Sequence, residues 1–244
     1  MIKKKTYLPL VLFLLFAFAP AAVFAGDYAN LNFIGFSKDG KYLAFEEYGT
    51  QDGSGYPYAN IYFVDVAKNA FAGKPFKVAI EKETATEDAA RAKAKNAAAA
   101  KMRQLKIVQG NTGTHTVSKL LNEMSLDGKN DWESGKVRFA EIIGSMYRRG
   151  DYTLTLNEIN TQTKECEGYG DDMFRIELTL RNNEENTVKT LQKDTTLTPA
   201  RGCTIDYRIQ DVYVYEGQIA VFLNVFYIGF EGPDMRFMVV TGSF

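Results

Sequence analysis

The chain has 244 residues, of which 45% are hydrophobic, 24% are charged and 13% are aromatic. This composition is typical of a folded globular protein and excludes a disordered or fibrous chain. The 29 basic and 30 acidic residues give a net charge of -1. Proteins that neutralise a phosphate backbone carry a basic excess, so we expect no nucleic-acid partner.

The first 25 residues have the order of a secretory signal peptide. Lysines at positions 3–5 precede an apolar run over 8–18, and Val23 and Ala25 suit the positions that signal peptidase reads. We therefore expect cleavage after about Ala25 and a product that is secreted or periplasmic, with no stable membrane insertion afterwards. The alternative is an uncleaved anchor, because the run approaches the roughly 18 to 20 residues that span a bilayer.

Export determines how the two cysteines are interpreted. In an oxidising compartment, the isolated pair Cys166 and Cys203 is most simply one structural disulfide. The bond would close a loop of about 38 residues, for which the chain-entropy model gives roughly 4 kcal/mol of stabilisation. The wide spacing excludes a reactive CxxC motif.

The segment 32–66 predicts a strand, a turn, a strand, a loop and a strand. Asp39 and Gly40 mark a tight turn. The runs 42–45 and 61–64 are apolar at both alternating sets of positions, which is typical of strands buried on two faces. The loop between them is rich in glycine, tyrosine and side-chain oxygens, and surface loops of this kind often carry function.

An alanine-rich tract at 84–107 predicts the one long helix. Thr84 and Glu87 have the spacing of a capping box, and alanines recur along one face at helical spacing. The simplest interpretation is a surface helix packed on a sheet by small residues. A basic helix that docks on an acidic partner is the alternative.

A short second helix is predicted for residues 116–123. The polar segment 125–136 that follows carries carboxylates that could bind calcium, although their spacing fails the EF-hand pattern.

The chain from 152 to 241 mostly alternates apolar and polar residues and predicts half-buried strands. The strand near 218–227 is instead apolar on both faces.

These elements predict an α+β fold that is predominantly antiparallel β. We expect a sandwich-like sheet system in a single domain over 26–244, with a helical insertion at about 84–124. The segments FSKDGKYLAF at 36–45 and NIYFVDV at 60–66 resemble one blade of a TolB-type β-propeller. One blade-like hairpin does not imply a full propeller, which needs several copies.

Three further segments resemble an uncharacterised family of predicted secreted bacterial proteins. They are FEEYG and QDGSG within 45–55, RGC at 201–203, and GFEGPD with RF within 229–237. The resemblance implies export and a shared fold, and it carries over no catalytic residue.

The side chains offer little for catalysis. The single histidine, His115, has no GxSxG motif to accompany it, and the chain has too few histidines and cysteines for a typical zinc site. We therefore predict no catalytic residue, no metal and no cofactor.

A pair of carboxylates is the remaining route to an enzyme, since a glycosidase needs two acids across a cleft. Glu46 and Glu47 are adjacent on a predicted strand, so their side chains point to opposite faces. One of them would have to meet a loop carboxylate, for which the candidates are Asp52, Glu231 and Asp234. The structural alternative is that the two glutamates end a strand at a sheet edge and that the second loop is a tight turn.

Tyrosines accompany the same loops, with Tyr56 and Tyr58 in the first of them. Tyrosine combines an apolar face with a polar tip and is favoured in binding sites, although core packing is the alternative. We hypothesise that the loops 49–58 and 229–234 adjoin and recognise an envelope protein or a glycan. The favoured function is thus a non-catalytic binding module, and the alternative is an envelope glycan hydrolase that uses the loop carboxylates.

Overall fold

The computed structural model describes residues 26–119, 135–142, 149–168, 172–197, 201–229 and 232–244. The predicted signal peptide, Glu231 and the carboxylates at 127–133 lie outside the described residues.

The elements follow one another in chain order as strands, a helix after the fifth strand, and strands again. They are β1 (Asn30–Phe36), β2 (Tyr42–Thr50), β3 (Pro57–Asp65), β4 (Ala70–Phe71), β5 (Phe76–Ala79), α1 (Glu87–Gln104), β6 (Thr114–Ser118), β7 (Lys136–Ile142), β8 (Arg149–Thr161), a 3-10 turn (Lys164–Cys166), β9 (Met173–Asn182), β10 (Thr187–Lys193), β11 (Thr204–Tyr215), β12 (Gln218–Tyr227) and β13 (Asp234–Ser243).

The strands form three antiparallel sheets. The helix-side sheet has the order β1-β2-β3-β4, with β5 also paired to β3. The middle sheet has the order β13-β12-β11-β6, and the outer sheet has the order β10-β9-β8-β7. The prediction of a mainly antiparallel β fold with one long helix is confirmed.

Strand β12 explains why the sheets stack in this order. Its apolar side chains at odd positions from 219 to 225 pack against the outer sheet, whereas Ala220 and Phe222 pack against the helix-side sheet. A strand that is apolar on both faces is stable only between two covering layers. The pattern in the sequence therefore places the sheet that contains β12 in the middle.

Helix α1 covers the remaining face of the helix-side sheet. Ala90, Ala94 and Ala98 are fully buried in a cluster with apolar residues of β3, and their small side chains let the helix lie close to the sheet. The N-cap is Thr86, whose Oγ1 accepts the N–H of Ala89 at 3.2 Å. The capping box predicted at Thr84 is wrong, because Thr84 belongs to the turn that precedes the helix.

The second helix predicted for 116–123 is also wrong in its described part. Residues Thr114–Ser118 form strand β6, in which Val117 pairs with Val212 of β11. Threonine and valine are β-branched and favour extended backbone, and the open edge of β11 supplies the hydrogen-bond partners. Residues 120–123 lie outside the described part of the chain.

A buried ion pair fastens α1 to β2. The Glu46 side chain is 0% exposed and accepts hydrogen bonds from Arg91 Nε at 3.2 Å, from Arg91 Nη2 at 3.0 Å and from Asn32 Nδ2 at 2.8 Å. The Arg91 guanidinium also lies 3.8 Å from the centre of the Tyr48 ring. Lys95 Nζ lies farther from the same carboxylate, at 3.7 Å, so removal of Arg91 takes away the nearer counter-ion and two hydrogen bonds of a buried carboxylate.

We expect Arg91→Ala to lower the free energy of unfolding by about 3 kcal/mol, because it leaves the buried Glu46 carboxylate with only the Asn32 amide and the more distant Lys95 as partners. Lys193→Ala is the control, since Lys193 forms an exposed pair with Glu177 at 2.7 Å and such pairs contribute about 1 kcal/mol at most. Urea denaturation measures both values. Equal losses in the two variants would contradict this role for Arg91.

Cys166 and Cys203 form the expected disulfide, with their two Cα atoms 5.7 Å apart. It joins the 3-10 turn to the segment that leads into β11. The bond lies in a small apolar cluster with Met173 and Leu197. This cluster is separate from the core between the outer and middle sheets, so the disulfide is the covalent support for this end of the molecule.

Replacement of both cysteines by serine should lower the free energy of unfolding by about 2 to 4 kcal/mol, because the unfolded chain loses the restraint of a long closed loop. Urea denaturation under oxidising and reducing conditions provides the measurement. Reduction should destabilise the wild type and leave the double variant unchanged. A wild type whose stability is insensitive to the reductant would show that the bond contributes little.

Candidate functional site

A cavity of about 610 Å³ lies between the helix-side sheet and the edge of the middle sheet. Residues of β2, β3, β4, β5, β12 and β13 line it, together with Gln192 and Arg201. Its volume is within the range of about 300 to 1,000 Å³ that is usual for small-molecule sites. We call it the Glu47 cavity, after the carboxylate in its wall.

The alternation of side chains along the strands assembles this wall. Glu47 lies on the opposite face of β2 from Glu46, and its register partner on β3 is Asn60. Tyr62 follows two residues later on the same face of β3. Lys77 of β5 pairs with Asn60 from the other side, so three neighbouring strands present polar groups to one cavity.

Glu47 is the most buried charged group in the cavity wall. It is 3% exposed, its Oε2 accepts the N–H of Phe237 at 3.0 Å, and its Oε1 is 3.4 Å from the donor Asn60 Nδ2. Both donors are uncharged. Burial raises the pKa of Glu47 above its ordinary value, against the opposing effects of the Phe237 N–H and the Arg236 charge.

Two tyrosines adjoin Glu47, namely Tyr62 and Tyr227. Burial raises the pKa of both hydroxyls, so both are neutral groups that donate and accept hydrogen bonds at neutral pH. The ring of Tyr62 stacks on Phe45 at 4.8 Å and on Phe71 at 5.5 Å. Because Phe71 is 60% exposed, this column of rings ends in an aromatic face at the cavity mouth.

Two arginines of the cavity wall are held by aspartates that do not line it. Arg236 donates from Nη2 to Asp27 Oδ2 at 2.6 Å and from Nη1 to the carbonyl oxygens of Asp27 and Met235. Arg201 donates from both Nη atoms to the two carboxylate oxygens of Asp194. Both guanidinium groups are therefore fixed in place from one side.

The structure separates the two adjacent glutamates of the sequence. Glu46 pairs with Arg91 on the helix side, and Glu47 faces the cavity. The alternative that they end a strand at a sheet edge is wrong, because both lie within β2, which pairs with β1 and with β3.

The loop residues proposed from the sequence do not line the cavity. Asp52 is exposed, and its Oδ1 accepts the N–H of Gly53 at 2.8 Å in a turn. Asp234 Oδ1 accepts the N–H of Asp27 at 2.9 Å at the start of β13. Both carboxylates thus accept backbone N–H groups in structural contacts, and Glu231 lies outside the described residues.

The two loop tyrosines have different environments. Tyr56 is half-buried at the end of the first loop. Tyr58 is the second residue of β3 and is 5% exposed, with the Arg236 guanidinium 5.4 Å from its ring centre. Tyr58 therefore packs in the interior and does not form part of an outer surface.

Sequence reasoning missed most of the cavity wall. The lining residues that it did not single out include Tyr62, Phe71, Lys77, Arg201 and Arg236. Arg201 and Arg236 belong to segments that resemble a secreted family, but no spacing rule connects them to Glu47. The contact that brings Glu47 to β13 joins residues 190 positions apart. The periodicity of β2 and that of β13 describe each strand alone and do not predict this contact.

A comparison with family models matches residues 44–243 to the family described as "Predicted secreted protein (DUF2259)". The match spans more than half of the chain and contains every cavity residue named above. The chain therefore belongs to this family of predicted secreted proteins, in agreement with the export expected from its first 25 residues.

Searches of curated proteins and of solved structures found no match. Within the part of the chain that the structure describes, no helix is long and apolar enough to cross a membrane. The same residues contain no cluster of three or more histidine, cysteine or acidic side chains that could hold a metal ion.

The raised pKa of Glu47 predicts a pH-dependent stability. The folded chain retains a proton on Glu47 at pH values where the unfolded chain, with an ordinary pKa of 4.5, has released it. The contribution of Glu47 to the free energy of unfolding should therefore decrease as the pH rises from about 4.5 through the folded pKa. Glu47→Gln keeps an oxygen acceptor for the Phe237 N–H but does not titrate.

We expect the stability of the wild type relative to Glu47→Gln to fall over this window. Urea denaturation of both proteins at several pH values between about 4 and 8 measures the difference. A difference that does not change with pH would show that the pKa of Glu47 is the same in the folded and unfolded chains.

Proposed function

We propose that this exported protein is a non-catalytic binding module and that the Glu47 cavity binds a carbohydrate. The observation that carries the proposal is the aromatic face of Phe71, stacked on Tyr62 and exposed at the mouth of a cavity with a polar wall. A flat aromatic ring suits the apolar C–H face of a sugar. The hydroxyls of Tyr62 and Tyr227 and the carboxylate of Glu47 suit its hydroxyl groups.

The size of the cavity supports a small ligand rather than a protein surface. Ligand sites of this volume are typically lined by apolar and aromatic side chains with a few polar groups that fix orientation. The Glu47 cavity has this mixture, with Val64, Val225 and Val239 beside the polar wall. An envelope protein partner has less support, because Tyr58 of the hypothetical loop surface is buried.

Glycan hydrolysis also has less support than binding. Glycosidases of both stereochemical types place two carboxyl groups about 5 to 9.5 Å apart across the scissile bond. Among the described residues, Glu47 is the one carboxylate in the cavity wall. Asp27 and Asp194 are engaged by the arginines behind that wall.

Phe71→Ala tests the proposal because it removes the exposed ring and leaves the polar wall in place. Val188→Ala is the matched control, since Val188 is 58% exposed and does not line the cavity. Saturation-transfer NMR with a panel of soluble mono- and disaccharides detects binding, and titration gives the Kd. We expect Phe71→Ala to raise the Kd by about 3- to 10-fold, as expected for the loss of a ring contact, and Val188→Ala to leave it unchanged.

Thermal denaturation of both variants serves as the folding control. Both side chains are largely exposed, so we expect little change in melting temperature. The proposal is overturned if no saccharide of the panel, neutral or charged, binds the wild type, or if Phe71→Ala and Val188→Ala bind the same saccharide equally well.

A further inference from the structure

We infer that the saccharide bound by the Glu47 cavity carries a carboxylate, as a uronic acid does. This inference rests on the proposed function and specifies its ligand class. The basis is the set of cationic hydrogen-bond donors in the cavity wall, Lys77, Arg201 and Arg236, which share the wall with a single acidic side chain, Glu47.

The first step of the argument concerns the donors that the arginines still have available. A guanidinium has five N–H groups. Arg236 uses three of them for Asp27 and Met235, and Arg201 uses two for Asp194. Each arginine thus retains N–H groups beyond those contacts, and its planar geometry suits a carboxylate.

The second step concerns rigidity. Asp194 and Asp27 are largely buried, with side-chain exposures of 5% and 10%, and they hold the two arginines without lining the cavity themselves. Each aspartate balances the formal charge of its arginine and fixes the guanidinium group before the ligand arrives, so the arginines contribute oriented N–H donors and Lys77 contributes the unbalanced positive charge. A preorganised donor loses less conformational freedom on binding than a mobile one.

The third step concerns the lysine at the cavity wall. Lys77 is exposed on β5, and its register partner is Asn60 in the wall. Its charge reaches Glu47, where it favours the ionised carboxylate. A cation in this position attracts an approaching anion, and this attraction weakens as the ionic strength rises.

Glu47 gives the ligand an orientation. The ionised form of Glu47 repels an acidic ligand group, so that group should point toward the arginines and the ligand's hydroxyls toward Glu47. Replacement of Glu47 by glutamine removes this repulsion and keeps a hydrogen-bonding group. The variant should therefore bind an acidic sugar more tightly than the wild type does.

Three sugars with the same ring test the inference: glucose, glucosamine and glucuronate, which are neutral, cationic and anionic. We expect glucuronate to bind the wild type about tenfold more tightly than glucose, with glucosamine weakest, and we expect the preference to shrink as salt is added. Kd values come from NMR titration near neutral pH at two ionic strengths.

Variants distinguish a specific site from general attraction. Lys77→Gln should bring the ratio of glucuronate to glucose affinity toward one, whereas Glu47→Gln should raise it. Lys93→Gln is the control, because Lys93 is an exposed lysine on α1 outside the cavity wall, and it should leave the ratio unchanged. An equal effect of Lys77→Gln and Lys93→Gln would overturn the inference.

The outcomes separate this inference from the proposed function. Binding of all three sugars with equal affinity, or a preference for glucosamine, overturns the acidic ligand and leaves a carbohydrate-binding cavity. Failure of all three sugars, together with the rest of the saccharide panel, overturns the carbohydrate cavity itself.

Discussion

Two adjacent buried glutamates on one strand connect the helix, the helix-side sheet and the middle sheet. Glu46 binds Arg91 of α1, and Glu47 accepts the backbone N–H of Phe237 in β13. Because consecutive residues of a strand point to opposite faces, a single dipeptide connects the helix to the helix-side sheet and that sheet to the middle one. A shift of β2 by one residue would exchange the two faces and break both connections.

The elements with a strong local pattern were predictable from the sequence. Strand β12 is apolar at both alternating sets of positions, which correctly indicated a strand covered on two sides. The alanine-rich helix was also predicted, with an error at its start because a turn occupies Thr84. The sequence wrongly predicts a helix at strand β6, because a strand of five residues gives a weak periodic signal. Its partner β11 begins about 90 residues later, so no local pattern indicates the pairing.

The cavity could not be predicted in the same way, because its wall depends on contacts between distant segments. The adjacency of Glu46 and Glu47 correctly indicated opposite faces, but not which face had a cation and which had a cavity. Phe71 lies in a strand of two residues, too short for any periodic signal. The likeness of residues 36–66 to a TolB-type blade stays a prediction about the first hairpin.

The disulfide has a consequence for when the cavity is completed. Arg201, part of the cavity wall, lies two residues before Cys203, whose bond to Cys166 restrains that segment. Such bonds form outside the reducing cytoplasm. In a newly made chain that has not yet been exported, the segment with Arg201 therefore lacks this covalent restraint. The redox state of the compartment thus decides whether this side of the cavity wall is covalently restrained.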